Sequence, residues 1–145
     1  MHVPSAYIDQ RLGLLDNHRS IIEQLNLLGT PLTEAELRTR LALLQLDALR
    51  VIQPVAQLSG GERLKAAMAI ALWRHVPAQL LLLDEPSNHL DLESVTAFEQ
   101  ALQGFGGAMV VVSHDAAFVQ AIRPTHRLRW TPDGWRPVSY THLRA

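Results

Sequence analysis

Two runs of consecutive apolar residues set the predicted framework of the chain. Residues 80–83 are four leucines, and residues 108–112 read Ala-Met-Val-Val-Val. Both runs are too short to span a membrane, and their length favours strands that are buried on both faces, as in a parallel sheet. The segment 92–103 between them has apolar residues at helical spacing, with these positions facing inward: Leu92, Val95, Phe98 and Leu102. The pattern therefore predicts a strand–helix–strand unit with parallel strands.

The region before these strands changes from a short strand to helices. Residues 3–10 predict a strand that leads into a loop. From about residue 17 to residue 49, apolar residues recur at helical spacing, and Gly29 interrupts them. Thr33 and Glu36 form a capping-box sequence that begins another helix. No chemistry is visible here, so we interpret this stretch as a helical layer that packs on the core.

Ionisable residues follow both predicted strands. Asp84 and Glu85 end the leucine run, and neighbouring residues of a strand point to opposite sides, so the two acids must have different tasks. Pro86 disfavours the helical region for Glu85 and predicts an extended conformation there. One acid suits a magnesium ion and the other a water molecule. Because the carboxyl ends of parallel strands meet at one edge, His114 is expected beside both acids. The alternative is an acidic turn without function, which is common in α/β proteins.

Residues 58–62 read Leu-Ser-Gly-Gly-Glu and predict the start of a helix that continues to about residue 74. Ser59 and Glu62 form a second capping box. Gly60 and Gly61 each cost up to about 1 kcal/mol relative to alanine in a helix. Glycine at these positions lets a ligand approach the free N–H groups of the first turn, which attract anions. A phosphate site and a plain helix cap remain equally good interpretations of these five residues alone.

Composition narrows the choice of partner and compartment. The chain has 145 residues, enough for one domain with a core. Its net charge of −1 favours neither a polyanion nor a membrane surface as partner. The absence of cysteine excludes disulfides and thiolate metal sites. No targeting segment is visible, so a cytoplasmic location is the expectation. Lys65 is the one lysine and lies inside a helical pattern, so the chain has no G-x-x-x-x-G-K-[ST] phosphate-binding loop.

Taken in order, these motifs resemble the second half of an ATP-binding cassette domain. The landmarks are a glutamine loop at Gln10, the signature at 58–62, a Walker B strand ending in Asp84 and Glu85, a D-loop around Asp91 and a switch residue at His114. The resemblance implies an α/β fold: a partial P-loop NTPase core with parallel strands plus an α-helical signature subdomain.

The implied domain organisation is a partial cassette over residues 1–136, with a helical subdomain at about 16–74. Residues 137–145 resemble a non-native tail. In this family the phosphate-binding loop precedes the glutamine loop. We therefore expect a fragment without ATPase activity of its own, from a parent that hydrolyses ATP.

Two details of the sequence resemble ABC-F proteins. These are soluble paired-cassette ATPases that mostly act on ribosomes. Glu62 follows the signature glycines, where transporter cassettes usually have glutamine, and residues 87–91 read Ser-Asn-His-Leu-Asp. The short region between Gln10 and residue 58 has no room for an added arm, which favours the second cassette of such a protein. The alternatives are a transporter subunit, a non-catalytic half-module and, with less support, a chromosome-organising SMC-type head.

The resemblance implies ATP and Mg²⁺ as ligands and assigns roles at the strand edge. Asp84 would hold Mg²⁺ through water, with Gln10 near the metal. Glu85 would polarise the attacking water. Gln10 and His114 would sense the γ-phosphate.

The signature would act on a second nucleotide. Ser59, Gly60 and Gly61, followed by Glu62, would bind the γ-phosphate of an ATP held by the opposite cassette, and Asp91 would communicate across the pair. The implied partners are a second cassette of the same parent chain and the ribosome, with no membrane and no direct DNA contact.

Overall fold

In the computed structural model, residues 3–88 and 90–139 are described. Three parallel strands form one sheet in the order β1 (Ser5–Ile8), β2 (Leu80–Asp84) and β3 (Ala108–Val112). Ile8 lies opposite Leu83, and Asp84 lies opposite Val112, so all three strands end at the same edge. The α/β class and the parallel pairing of the two apolar runs are confirmed.

The expectation that β2 is buried on both faces is wrong for this chain. Leu81 and Leu83 are 0% and 1% exposed, whereas Leu80 and Leu82 are only half-buried. On the neighbouring strands, the following residues are exposed: Tyr7, Val110 and Val112. Successive side chains of a strand alternate between faces, and the described residues cover only one face of the sheet.

The helix α3 (Gly60–Trp73) lies at the centre of the molecule and packs on β1. Residues 65–71 are all buried. Four of these seven residues are alanines, which allow neighbouring elements to approach the helix closely on every side: Ala66, Ala67, Ala69 and Ala71. The predicted capping box of Ser59 and Glu62 begins the helix.

The helical layer before α3 consists of α1 (Ile21–Leu27) and α2 (Glu34–Leu43), followed by single 3₁₀ turns at Arg50–Ile52 and Val55–Gln57. The predicted capping box of Thr33 and Glu36 begins α2, and an equivalent box begins α1. Gly29 adopts φ +72° beyond α1, a conformation that glycine reaches without strain. The break predicted at this glycine is confirmed.

The crossover helix α4 (Leu92–Gln103) connects β2 to β3, and α5 (Ala116–Ile122) follows β3. Phe98 and Phe118 join the two helices with ring centroids 6.2 Å apart. Leu92 was expected to face inward but is 84% exposed. It occupies the first position of α4, where the first turn lies at the surface rather than against the core.

The chain closes with an antiparallel hairpin of β4 (His126–Thr131) and β5 (Gly134–Ser139). Gly134 has φ +104°, a conformation that glycine reaches without strain, at the turn that follows Pro132 and Asp133. β5 continues beyond residue 136, the predicted domain boundary, and residues 140–145 of the predicted tail lie outside the described residues. Within the described ranges, no helix combines the length and apolar character needed to cross a bilayer.

Candidate functional site

The loop after β2 and the loop after β3 meet through Glu85 and His114. The backbone N–H of Glu85 donates to the carbonyl of Val112 at 2.7 Å, which extends the pairing of the two strands by one residue. The Glu85 carboxylate contacts Nδ1 of His114 and accepts a long hydrogen bond from the His114 backbone N–H at 3.4 Å. The Glu85 side chain is 18% exposed, and that of His114 is 92% exposed. An anchored carboxylate thus faces a solvent-accessible imidazole.

The backbone of Glu85 departs from the expected extended conformation. Its φ is +51°, in the left-handed region, although the residue is neither glycine nor asparagine. Such a conformation costs on the order of 1–3 kcal/mol and is found where the surroundings over-determine it. Here the Val112 carbonyl holds the amide and His114 holds the carboxylate. Pro86 keeps Glu85 out of the right-handed helical region, but it does not keep the residue extended.

Asp84 has a partner that the sequence analysis missed. The phenol of Tyr7 donates to Oδ2 of Asp84 at 3.0 Å. Because this carboxylate accepts the hydrogen bond, the pKa of Tyr7 is raised above its ordinary value of 10.0. The parallel register contained the signal, since Tyr7 lies opposite Leu82, two residues before Asp84 on the same face. Tyr7 fixes one carboxylate oxygen and leaves the other open.

Gln10 is exposed and follows β1 by two residues. Because β1 ends beside β2, this position lies at the same edge as Asp84. A carboxylate oxygen and an amide oxygen are suitable ligands for Mg²⁺, which usually keeps several waters and binds one or two carboxylates plus substrate phosphates. In the described part of the chain, no group of three or more His, Asp or Glu side chains converges. This donor set fits a magnesium ion held mainly by phosphates and water.

The segment after Glu85 is fastened to the loop after β3. Ser87 is buried, and its hydroxyl donates to Oδ2 of Asp115 at 3.3 Å. Asp115 also caps α5 by accepting from the N–H of Phe118 at 3.1 Å. Ser87 belongs to the Ser-Asn-His-Leu-Asp segment, whose His89 lies outside the described residues. The contact keeps the loops that carry Glu85 and His114 together.

A second site lies at the start of α3, in a cleft of about 430 Å³. The residues that matter for its chemistry are Ser59, Gly60, Gly61, Glu62, Lys65 and Asp91. The Ser59 hydroxyl accepts from the N–H of Glu62 at 3.2 Å, and the Ser59 N–H donates to the Glu62 carboxylate at 2.9 Å. We call this group the signature cleft.

The carboxylate of Glu62 takes part in the cap of α3 and is not free to bind a ligand in the cleft. It contacts the guanidinium of Arg50 as well as the backbone of Ser59. Desolvation raises the pKa of Glu62, but the bonds from Ser59 and Arg50 outweigh it, so the net pKa is lowered. Glu62 is therefore a charged capping residue, and the glycines before it keep the first turn open.

Lys65 forms the floor of the signature cleft, which the sequence analysis did not predict. Its ammonium donates to the side chains of Gln45 at 3.2 Å and Ser94 at 3.1 Å. Asp91 caps α4 by accepting from the N–H of Ser94 at 2.7 Å, and this bond lowers the pKa of Asp91. The available signal was a single lysine within an otherwise apolar helical segment.

The structure brings the predicted site residues together in two groups rather than one. Asp84, Glu85 and His114 meet at the edge of the sheet, with Gln10 at the same edge, and we call this group the hydrolytic edge. The remaining predicted residues line the signature cleft. No hydrogen bond among the described residues joins a side chain of one group to a side chain of the other.

Known proteins and solved structures match most of the chain, whereas no protein-family profile matches it. The putative ATP-binding protein YdiF of Bacillus subtilis is 38% identical over 121 residues, covering 83% of this chain and 18% of that protein. The mouse ATP-binding cassette sub-family F member 3 is 37% identical, covering 74% and 15%. Elongation factor 3 of Candida glabrata is 32% identical, covering 83% and 12%. The chain thus spans less than a fifth of the length of these relatives.

Solved structures with the same fold are ATP-binding cassettes. The dimeric structure of MJ0796, a bacterial ABC transporter cassette, has a TM-score of 0.65 and 23% identity, covering 82% of this chain and 56% of that chain. A dimeric structure of the same cassette with ADP and Pi has a TM-score of 0.60. The sequence relatives are ABC-F-type ATP-binding proteins, and the structural neighbours establish the cassette fold.

Proposed function

We propose that the chain is part of a paired-cassette ATPase, since its homologues are ABC-F-type ATP-binding proteins and its fold is that of an ATP-binding cassette. The observation that carries the proposal is the contact between Glu85 and His114 at the end of β2 and β3. Catalysis of phosphoryl transfer depends mainly on positioning and charge stabilisation. A strained, anchored carboxylate beside an exposed imidazole provides both.

At the hydrolytic edge, Glu85 accepts a hydrogen bond from the attacking water and polarises it. His114 holds the Glu85 carboxylate in place and presents its exposed ring to the γ-phosphate. Asp84, through water, and Gln10 would hold Mg²⁺, which would supply charge neutralisation when bound. Tyr7 orients Asp84 by occupying one of its two oxygens.

In the signature cleft, the Ser59 hydroxyl and the N–H groups of Gly60 and Gly61 bind the γ-phosphate of an ATP held by a second cassette. The positive end of α3 and the missing glycine side chains suit an anion. The separation of this cleft from the hydrolytic edge supports action on two different nucleotides. Asp91, at the rim of the cleft, communicates between the cassettes.

We further propose that the parent is an ABC-F-type protein that acts on ribosomes in the cytoplasm. Support comes from Glu62, from the segment 87–91 and from relatives named as a sub-family F member and an elongation factor. The competing proposal is a transporter subunit, which the fold of MJ0796 alone would equally allow. The full-length protein, purified without any membrane partner, should hydrolyse ATP faster when ribosomes are added. Hydrolysis that depends on a membrane-spanning partner would favour the transporter.

The role of Glu85 is tested by Glu85→Gln in the full-length protein that contains this segment. ATP binding should persist, while turnover should fall by at least about a hundredfold, since a positioned general base contributes on this scale. Glu34→Gln, an exposed acid on α2, is the control and should leave turnover unchanged. Undiminished turnover of Glu85→Gln would remove Glu85 from the proposed mechanism.

A further inference from the structure

Lys65 is buried in a way that packing alone does not explain. Its side chain is 2% exposed, and its two described partners, Gln45 and Ser94, are both neutral. In the described part of the chain, no carboxylate lies within ion-pair distance of its ammonium. Desolvation lowers the pKa of Lys65, while the carboxylates of Asp91 and Glu62 partly counteract it. A buried charge with neutral partners destabilises a fold, so this lysine calls for a second explanation.

Gln45 is also held at a cost in stability. It adopts φ +67° just beyond α2, a position where helices usually have glycine. A glycine would remove the strain, but only a longer side chain reaches into the cleft. The amide oxygen of Gln45 accepts from both the Lys65 ammonium and the Ser94 hydroxyl. The buried charge of Lys65 and the left-handed backbone of Gln45 both cost stability, and both belong to one hydrogen-bonded cluster: Gln45, Lys65 and Ser94.

This cluster connects three elements at one place. Gln45 follows α2, Lys65 lies one turn into α3, and Ser94 lies in the first turn of α4. Ser94 in turn donates its backbone N–H to Asp91. The cluster therefore links the first turns of α3 to the N-terminal turn of α4, where the carboxylate of Asp91 lies.

We propose that Lys65 is a positioning residue for ATP hydrolysis, which holds the signature turn of α3 and Asp91 in register through Gln45 and Ser94. The inference rests on the proposed function, because the signature cleft acts on a nucleotide only there. Lys65 itself touches no nucleotide in this scheme. Its ammonium sets the distance between two groups that meet the second cassette.

The test uses the full-length protein with three changes in the cluster. Lys65→Met should lower kcat by at least about tenfold, the scale expected for a misplaced binding group, with the KM for ATP nearly unchanged. Lys65→Arg, which keeps the charge, should retain most of kcat. Gln45→Gly should keep or raise Tm because it relieves the left-handed strain, and yet should lower kcat.

Gln24→Leu is the matched control, because Gln24 is a buried polar residue of α1 whose side-chain hydrogen bonds, among the described residues, go to the nearby backbone of Asp16 and Arg19. It changes a buried polar side chain away from the signature cleft and should leave kcat unchanged at a temperature where the variant is folded. If Lys65→Met behaves like this control, or if Lys65→Arg is as impaired as Lys65→Met, the inference is wrong. If the full-length wild type does not hydrolyse ATP, the proposed function is wrong as well. If the wild type hydrolyses ATP and Glu85→Gln does not, the proposed function stands and only the role of Lys65 is wrong.

Discussion

The hydrolytic edge and the signature cleft are built by different physical means. The hydrolytic edge is positioned by the register of parallel strands, and its chemical groups are open, with the His114 side chain 92% exposed. The signature cleft is positioned by helix caps and a buried polar cluster around Lys65, which is 2% exposed. One region depends on the sheet, and the other depends on contacts between helices.

The difference indicates which kind of change should damage each region. A cavity beneath β2 should disturb the hydrolytic edge first, because Asp84 is the last residue of the strand and Glu85 directly follows it. The loss of a cap or of the Lys65 ammonium should disturb the signature cleft and leave the sheet intact.

Leu83→Ala should be the most damaging of the changes considered. Leu83 is 1% exposed and directly precedes Asp84, and removal of a buried leucine side chain costs about 2–5 kcal/mol. Chemical denaturation of this chain measures the loss. Leu82→Ala on the half-buried face is the matched control and should cost clearly less. Equal losses would show that both faces of β2 are covered in solution.

Ser59→Ala should remove the cap of α3 at a cost of about 0.5–2 kcal/mol. Thr33→Ala removes the equivalent cap of α2, away from the cleft, and should have a similar cost in denaturation. In the full-length protein, Ser59→Ala alone should also lower ATP turnover. If both variants retain full turnover, the Ser59 hydroxyl serves only as a cap.

Acidification should weaken the N-terminal cap that Asp91 provides for α4. The hydrogen bonds from Ser94 lower the pKa of Asp91 below its ordinary value of 3.8. A carboxylate with a lowered pKa stabilises the folded state above its unfolded pKa, and this contribution is lost as the pH falls through the folded pKa. Denaturation of wild type and Asp91→Asn between pH 6 and pH 2, a window of about four units around these pKa values, should show a smaller acid loss in the variant. Identical pH profiles would contradict the charged cap.

The smallest expected effect concerns Tyr7. Because Asp84 accepts the Tyr7 hydrogen bond and raises the pKa of the phenol, Asp84→Asn should lower that pKa towards 10.0. NMR titration of the tyrosine ring measures it, and Tyr7→Phe identifies the signal. An unchanged pKa in Asp84→Asn would show that the two side chains do not pair in solution.

Local patterns predicted the elements better than the details of the site. Apolar runs and capping sequences gave the strands, α4 and the starts of α2 and α3, because these signals depend on residues close in sequence. The pairing of Glu85 with His114 also followed, since parallel strands end at one edge. The left-handed backbone of Glu85 was missed because it depends on tertiary contacts with Val112 and His114.

The Lys65 cluster was missed for a related reason. Its three side chains are separated by 20, 29 and 49 positions in the sequence, so no local pattern reports their contact. The incomplete burial of β2 was missed because a run of leucines predicts that both faces of a strand are buried. It does not identify the elements that would cover each face.

We propose that the hydrolytic edge and the signature cleft of one chain serve different nucleotides and do not form one complete ATP site. Isothermal titration calorimetry of Mg-ATP against the 145-residue chain tests it directly. We expect little or no heat of binding, because the chain lacks a phosphate-binding loop and no residue of the hydrolytic edge lines the signature cleft. Tight 1:1 binding, abolished by a change at either region, would contradict it.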